Sequence, residues 1–134
     1  MKEIRGDAKN IRALLGEAKY AIDYYQREYR WQTKQISELL DDLADKFRDH
    51  YEPSHDREEV TKAYGHYFLG SIIISDKDGC LFIIDGQQRL TSITLLLIFL
   101  YRKLESLASE RKMKFDDERA TISNLIFSYR LLQK

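Results

Sequence analysis

A chain of 134 residues fits one domain, with a core able to bury roughly two thirds of the unfolded surface. Its 22 basic and 22 acidic residues cancel, which excludes the broad positive field of a protein that coats nucleic acid or an anionic membrane. With 43% hydrophobic residues, one proline and one cysteine, the composition excludes disorder, a disulfide framework and a multi-cysteine zinc site, and it fits a reducing cytoplasm.

The N-terminal MKEIRGDAKNIRALLG is charged throughout and lacks the apolar run of a signal peptide. Ile11, Leu14, Leu15 and Ala18 share a face, so the spacing predicts a first helix over about 7–18. Lys19 to Asp23 reads as a short strand leading into Tyr24–Trp31. Ile36, Leu39, Leu40, Leu43 and Phe47 then recur at helical spacing over about 33–49, and Glu38, Asp41, Asp42 and Asp45 fall away from that stripe as a solvated face. Residues 50–64 hold the only proline and no periodicity, and read as an exposed loop. His50, His55 and Cys80 share no element and no recognised ligand spacing, so no metal site is expected.

HYFLGSIIIS (66–75) and CLFII (80–84) flank the turn residues DKDG, predicting a β-hairpin with a four-residue connection. Cys80, inside the second strand, reads as a small core residue. Asp85-Gly86 ends that strand, and Gln87-Gln88-Arg89 opens a helix over about 88–104. Leu90, Ile93, Thr94, Leu97, Ile98, Tyr101 and Leu104 lie on one face, while Leu95, Leu96, Phe99 and Leu100 broaden it, as expected of a central buried helix. Its apolar stretch, Ile93 to Tyr101, is about half the roughly 20 residues that a bilayer span needs, and no membrane association is expected. A last amphipathic helix over about 117–132 uses Ile122, Leu125, Ile126 and Tyr129. The expected fold is α/β (α+β): a small mixed sheet whose hairpin packs on the central helix.

The zero net charge conceals regional differences. Residues 1–35 carry net +3, 36–65 carry −5, 66–80 carry −1 and 81–134 carry +3. The two basic regions hold the most unusual tracts, YYQREYRW and DGQQR.

At the strand–DGQQR–helix junction, unpaired backbone N–H groups and the helix dipole favour an anion. Gly86 permits close approach to the main chain, and Arg89 can fork onto phosphate oxygens. Asp85 can hold Arg89, bind a sugar hydroxyl or position a metal-bound water; the plain structural alternative is that it caps the helix. In the other tract, four aromatics interleave with Gln26, Arg27 and Arg30, a surface able to stack on a base and bind phosphate. Packing alone accounts for Tyr29 and Trp31, whereas Gln26-Arg27 does not belong in a core unpaired.

IDYYQREYRW (22–31), the helix ending LLDDL (39–43), YFLGSIII (67–74) and IIDGQQRLTSITLLL (83–97) occur in this order. The series closely resembles the amino-terminal DGQQR domain of GmrSD-type modification-dependent restriction proteins, within the ParB/sulfiredoxin-like superfamily, over roughly residues 8–104. The resemblance implies a nucleoside-triphosphate-binding α/β fold that regulates an attached nuclease, with Gly86-Gln87-Gln88-Arg89 as the phosphate loop. It carries Gln26 and Arg27 over as the QR pair and Asp85 to Arg89 as the DGQQR loop, and it aligns Gly70 and Ser71 with a strand bordering the same pocket.

Two departures stand out: Ile22-Asp23 replaces the usual Ile-Pro, and family members are usually longer, often with a carboxy-terminal HNH nuclease. The chain reads as one domain over 1–134, open to truncation at its C-terminus. No nuclease centre is visible in it; Asp7, Glu17 and Lys19 fall on a predicted helix rather than on a strand pair.

These readings converge on a cytoplasmic regulatory domain of a prokaryotic DNA-restriction system. The nucleotide site that the resemblance implies would comprise Tyr25, Gln26, Arg27, Gly70, Ser71, Gly86, Gln87, Gln88 and Arg89. For triphosphate hydrolysis with Mg²⁺, Arg89 and the 86–88 amides would hold the phosphates, Arg27 would offset developing charge, and Asp85 with Gln88 would orient metal or water. DNA would be met through a partner or a further C-terminal domain. The alternatives are a DNA-sensing module using Tyr25, Arg27, Arg30 and Trp31 without hydrolysis, and a scaffold domain. Under the first reading, Arg27 and Arg89 line one cleft, and Arg89 faces solvent.

Overall fold

The computed structural model describes residues 4–22, 28–56, 58, 62 and 64–126. These residues form α1 (Ile11–Glu17), β1 (Tyr20–Ile22), α2 (Thr33–Arg48), β2 (Ile73–Lys77), β3 (Cys80–Asp85), α3 (Gln87–Arg111) and α4 (Asp116–Ile126). The strands make one mixed sheet in the order β1-β3-β2, with β1 parallel and β2 antiparallel to β3. This is the small α/β architecture expected from the alternation of elements.

Helix α1 starts later than its periodicity suggests, because the Asn10 side chain accepts from the Ala13 N–H at 2.8 Å and fixes the first turn there. Its apolar pair Leu14 and Leu15 is buried against Ile83 of the central strand and Leu90 of α3. Ile11, Tyr20, Ile72, Ile74, Leu97 and Leu125 pack around that nucleus. The core therefore lies where α1, the sheet, the first turns of α3 and α4 meet. Tyr20 is tied in by its hydroxyl, which donates to the Leu14 carbonyl at 2.8 Å.

The hairpin differs from its expected form. Lys77 pairs with Cys80, so the connection is two residues, Asp78-Gly79, rather than four. Both have positive φ, 55° and 80°, the type I′ geometry that matches the twist of paired strands. The Asp76 carboxylate accepts from the Gly79 N–H at 2.9 Å and braces the turn. Pairing begins at Ile73, not His66. Cys80, at the hairpin tip, is exposed rather than a core residue.

Helix α3 is longer than expected, and only its first turns are buried. Leu90 and Ile93 are buried, whereas Leu95 is 54% and Phe99 62% exposed. Leu95, Leu96, Phe99 and Leu100 widen the apolar surface beyond one face, and the sheet and α1 cover only the first turns of the helix. Helix α4 carries Asp116, Asp117 and Glu118 in its first turn, where the dipole favours acidic groups. It packs on α3 and α1, with Leu125 3.6 Å from where a β-carbon on Gly16 would lie. Tyr129 lies outside the described residues. No helix among the described residues is long and apolar enough to cross a membrane.

Candidate functional site

The strand-to-helix junction after β3 is built by backbone conformation. Gly86 is the residue before the first turn of α3, in the left-handed region at φ 89°, ψ 9°, and no side chain caps the helix. Asp85, the capping candidate, is instead the exposed last residue of β3, opposite Ile73. Gly86 is buried because the chain before β2 crosses it. A β-carbon there would lie 2.9 Å from Ile72 Cγ1 and 3.1 Å from the Ser71 carbonyl oxygen. Glycine is thus required twice, for its dihedral angle and for the close approach of two backbones.

The remaining residues of the tract hold neighbouring segments. Gln87 is buried. The Gln88 carboxamide is a clip: its oxygen accepts the Arg30 and Trp31 N–H groups at 2.7 and 3.1 Å, and its nitrogen donates to the Glu28 carbonyl at 3.2 Å. One helical turn on, the hydroxyls of Ser92 and Tyr29 are 2.9 Å apart, and Ser92 donates to the Gln88 carbonyl at 2.6 Å. Residues 28–31 are thereby fastened to the start of α3. Tyr29, 43% exposed, is anchored through its hydroxyl rather than by the burial its aromatic ring suggests.

Arg89 is half-buried, not solvent-facing. Its guanidinium lies over Gly70, where a β-carbon would come within 2.9 Å of Cζ, and it donates to the Ser71 carbonyl at 3.2 Å. Gly70, at φ 98°, is the second position where a side chain would be both strained and obstructed. The structure thus brings Gly70, Ser71, Gly86, Gln87, Gln88 and Arg89 together, with Asp85 adjoining. Tyr25, Gln26 and Arg27, and with them the shared Arg27–Arg89 cleft, lie outside the described residues.

Beside Arg89 opens a cavity of about 190 Å³ between the start of α3, helix α2 and the chain before β2. Leu39 and Leu69 give it apolar walls, Trp31 and Tyr67 aromatic ones, and Gln35, Glu38 and Asp42 line it from one face of α2, with Arg89 contributed by α3. Periodicity marks Glu38 and Asp42 only as part of a solvated helix face. They remain exposed, yet that face borders the cavity. The Tyr67 hydroxyl donates to Asp42 Oδ2 at 2.7 Å. That hydrogen bond, with partial burial, holds the Tyr67 phenol above its ordinary pKa. Nothing in the local sequence of Gln35, Leu69 or Tyr67 marks them as a shared wall; only the i, i+3, i+7 spacing of 35, 38 and 42 on α2 places three of the lining residues together.

The other candidates are separate from this cavity. His50 and His55 flank the Tyr64 ring, at 6.1 and 6.2 Å between centroids, in a cluster with Phe47 and Tyr51. Glu17 pairs with Lys9 at 3.0 Å, and Lys19 reaches the Leu15 and Leu125 carbonyls, so these two residues serve the packing of α1 and α4.

Fold and site together define a small α/β module whose polar residues gather around one helix start. The chain belongs to the family described as the GmrSD restriction endonuclease N-terminal domain, whose model matches residues 9–133. No curated protein and no solved structure matches it.

Proposed function

We propose that the chain is a nucleoside-triphosphate-binding regulatory module, in which Arg89 and the first turn of α3 hold the phosphates. Membership of the GmrSD N-terminal family places it in a restriction or defence system. The observation that carries the nucleotide reading is the position of Arg89. Its guanidinium is anchored by the Ser71 carbonyl over Gly70, and the residue borders the cavity. An arginine fixed in this way is ready to meet an anion without losing side-chain freedom on binding. The positive end of the α3 dipole lies beside Arg89 and adds to the field that favours an anion.

Mg²⁺ would accompany the triphosphate and supply charge neutralisation, with most of its ligands phosphate oxygens and waters. Exposed Asp85, next to the helix start, is the carboxylate suited to hold that ion through water. The Gln88 carboxamide uses its oxygen and nitrogen on residues 28–31, which favours binding over hydrolysis as the basic activity. Half-buried Trp31 in the cavity wall favours a nucleotide site over an open DNA-stacking surface.

Thermal unfolding with ATP, GTP, CTP or UTP and Mg²⁺ tests this reading. At a hundredfold excess over Kd, a bound triphosphate stabilises by roughly 2.7 kcal/mol. Arg89→Ala should remove that stabilisation while the domain still unfolds cooperatively. Stabilisation by short DNA duplexes and by no triphosphate would replace this reading with DNA sensing.

A further inference from the structure

We infer that the cavity along α2 is a nucleobase pocket selective for guanine, with Glu38 as the residue that reads the base. The inference rests on the nucleotide-binding role of Arg89 proposed above, and it specifies which nucleotide that site takes. At about 190 Å³ the cavity is smaller than the roughly 300–1,000 Å³ that encloses a whole small-molecule ligand. It holds one part of a nucleotide and leaves the rest at its mouth.

The polarity of its walls decides which part. Arg89 enters the lining from α3, and the carboxylates of Glu38 and Asp42, one helical turn apart, enter it from α2. Phosphates are repelled by the acidic side and attracted to Arg89, so the base is the end that meets α2. Trp31 supplies a ring face on which a base can stack, and Leu39 and Leu69 supply apolar surface for its plane.

The hydrogen-bonding groups select among bases. Asp42 has one carboxylate oxygen engaged by the Tyr67 hydroxyl, which fixes its position. Among the described residues Glu38 pairs with Lys34 at 3.9 Å, a distant exposed contact that lets it turn to a ligand. The Gln35 oxygen accepts from the Gln32 N–H at 2.9 Å, so what Gln35 can offer a ligand is its amide N–H donors. A carboxylate acts as a pure acceptor and needs adjacent donors opposite it. Guanine alone among the four bases presents two side by side, N1–H and the N2 amino group, with O6 next to them to accept from Gln35. Adenine and cytosine place a ring-nitrogen acceptor beside their amino group, and uracil has a single N–H between two carbonyls.

Titration calorimetry of the four triphosphates with Mg²⁺, on the wild-type chain and on Glu38→Gln, tests this. Glu38 is exposed, so the variant should fold, and its thermal unfolding provides the check. The expected result is GTP bound at least about tenfold more tightly than ATP, CTP or UTP, as a good bidentate contact implies. Glu38→Gln should erase most of that preference, with GTP losing several-fold more affinity than ATP, CTP or UTP. If all four bind alike, or if Glu38→Gln weakens all four equally, the guanine assignment is wrong and the nucleotide-binding reading stands. If none binds, both fall.

Discussion

Gly86 shows how one residue can serve fold and site together. Its left-handed dihedral angles turn β3 into α3, and its missing side chain admits Ile72 and the Ser71 carbonyl. Gly86→Ala is expected to cost about 1–3 kcal/mol for the dihedral angle alone, with a further penalty from the contact at Ile72. Gly79 at φ 80° has open space around its Cα, so Gly79→Ala should carry only the conformational part. Urea denaturation of the two variants checks this, and equal costs would mean that the chain before β2 yields without loss. Gln88 acts differently, through three hydrogen bonds to the backbone of residues 28–31. At roughly 0.5–1.5 kcal/mol each, partly exposed, their loss in Gln88→Ala should cost about 1–3 kcal/mol. Amide exchange at Arg30 and Trp31 should quicken in that variant while exchange at Ile83 stays slow. Unchanged exchange at residues 30 and 31 would show that the clip does not hold the segment.

The elements show what periodicity can and cannot reveal. The hairpin, α2 and the opening of α3 at Gln87 are legible, because alternation, 3.6-residue spacing and an Asp-Gly pair each have a local physical cause. The tight turn at 78–79 is the part misread: the turn-forming letters run over four residues, but pairing of Lys77 with Cys80 extends the strands into them. In α3 the apolar residues spread beyond one face and along most of its length, so spacing could name the helix but not its buried end. Tertiary cover decides that, and it predicts unequal costs along one helix. Leu90→Ala, 5% exposed in the main cluster, should lose about 2–5 kcal/mol. Leu97→Ala, half-buried at the edge of that cluster, should lose less, and Phe99→Ala, 62% exposed, should change stability by under about 0.5 kcal/mol. Chemical denaturation of the three variants gives the ranking; a costly Phe99→Ala would mean that another surface covers the far half of α3.

Across the whole molecule, the candidate site is legible only in part. The DGQQR tract and Gly70-Ser71 are visible as letters, and the structure joins them at Arg89. The α2 wall of the cavity was hidden, because Glu38 and Asp42 look like any solvated helix face until the chain before β2 is laid across from them. That packing also gives the domain a pH dependence. Burial raises the Tyr20 phenol, and the hydrogen bond to Asp42 raises that of Tyr67. Both groups bind their protons more tightly folded than unfolded, where tyrosine titrates near about 10. The stabilisation they give is therefore fully present below about pH 10 and is lost as the pH rises through the higher folded values. Lys9, raised mainly by its hydrogen bond to Glu17, acts with the same sign, but its exposure makes that contribution small. Melting temperature should accordingly stay level from pH 8 to about 9.5 and fall above about 10. Tyr67→Phe keeps the ring in the cavity wall and removes the titrating hydroxyl, so its melting temperature should be lower at pH 8 yet decline less steeply toward pH 11. An identical alkaline decline in the variant would show that the hydrogen bond between Tyr67 and Asp42, and with it the fixed position of Asp42, does not persist in solution.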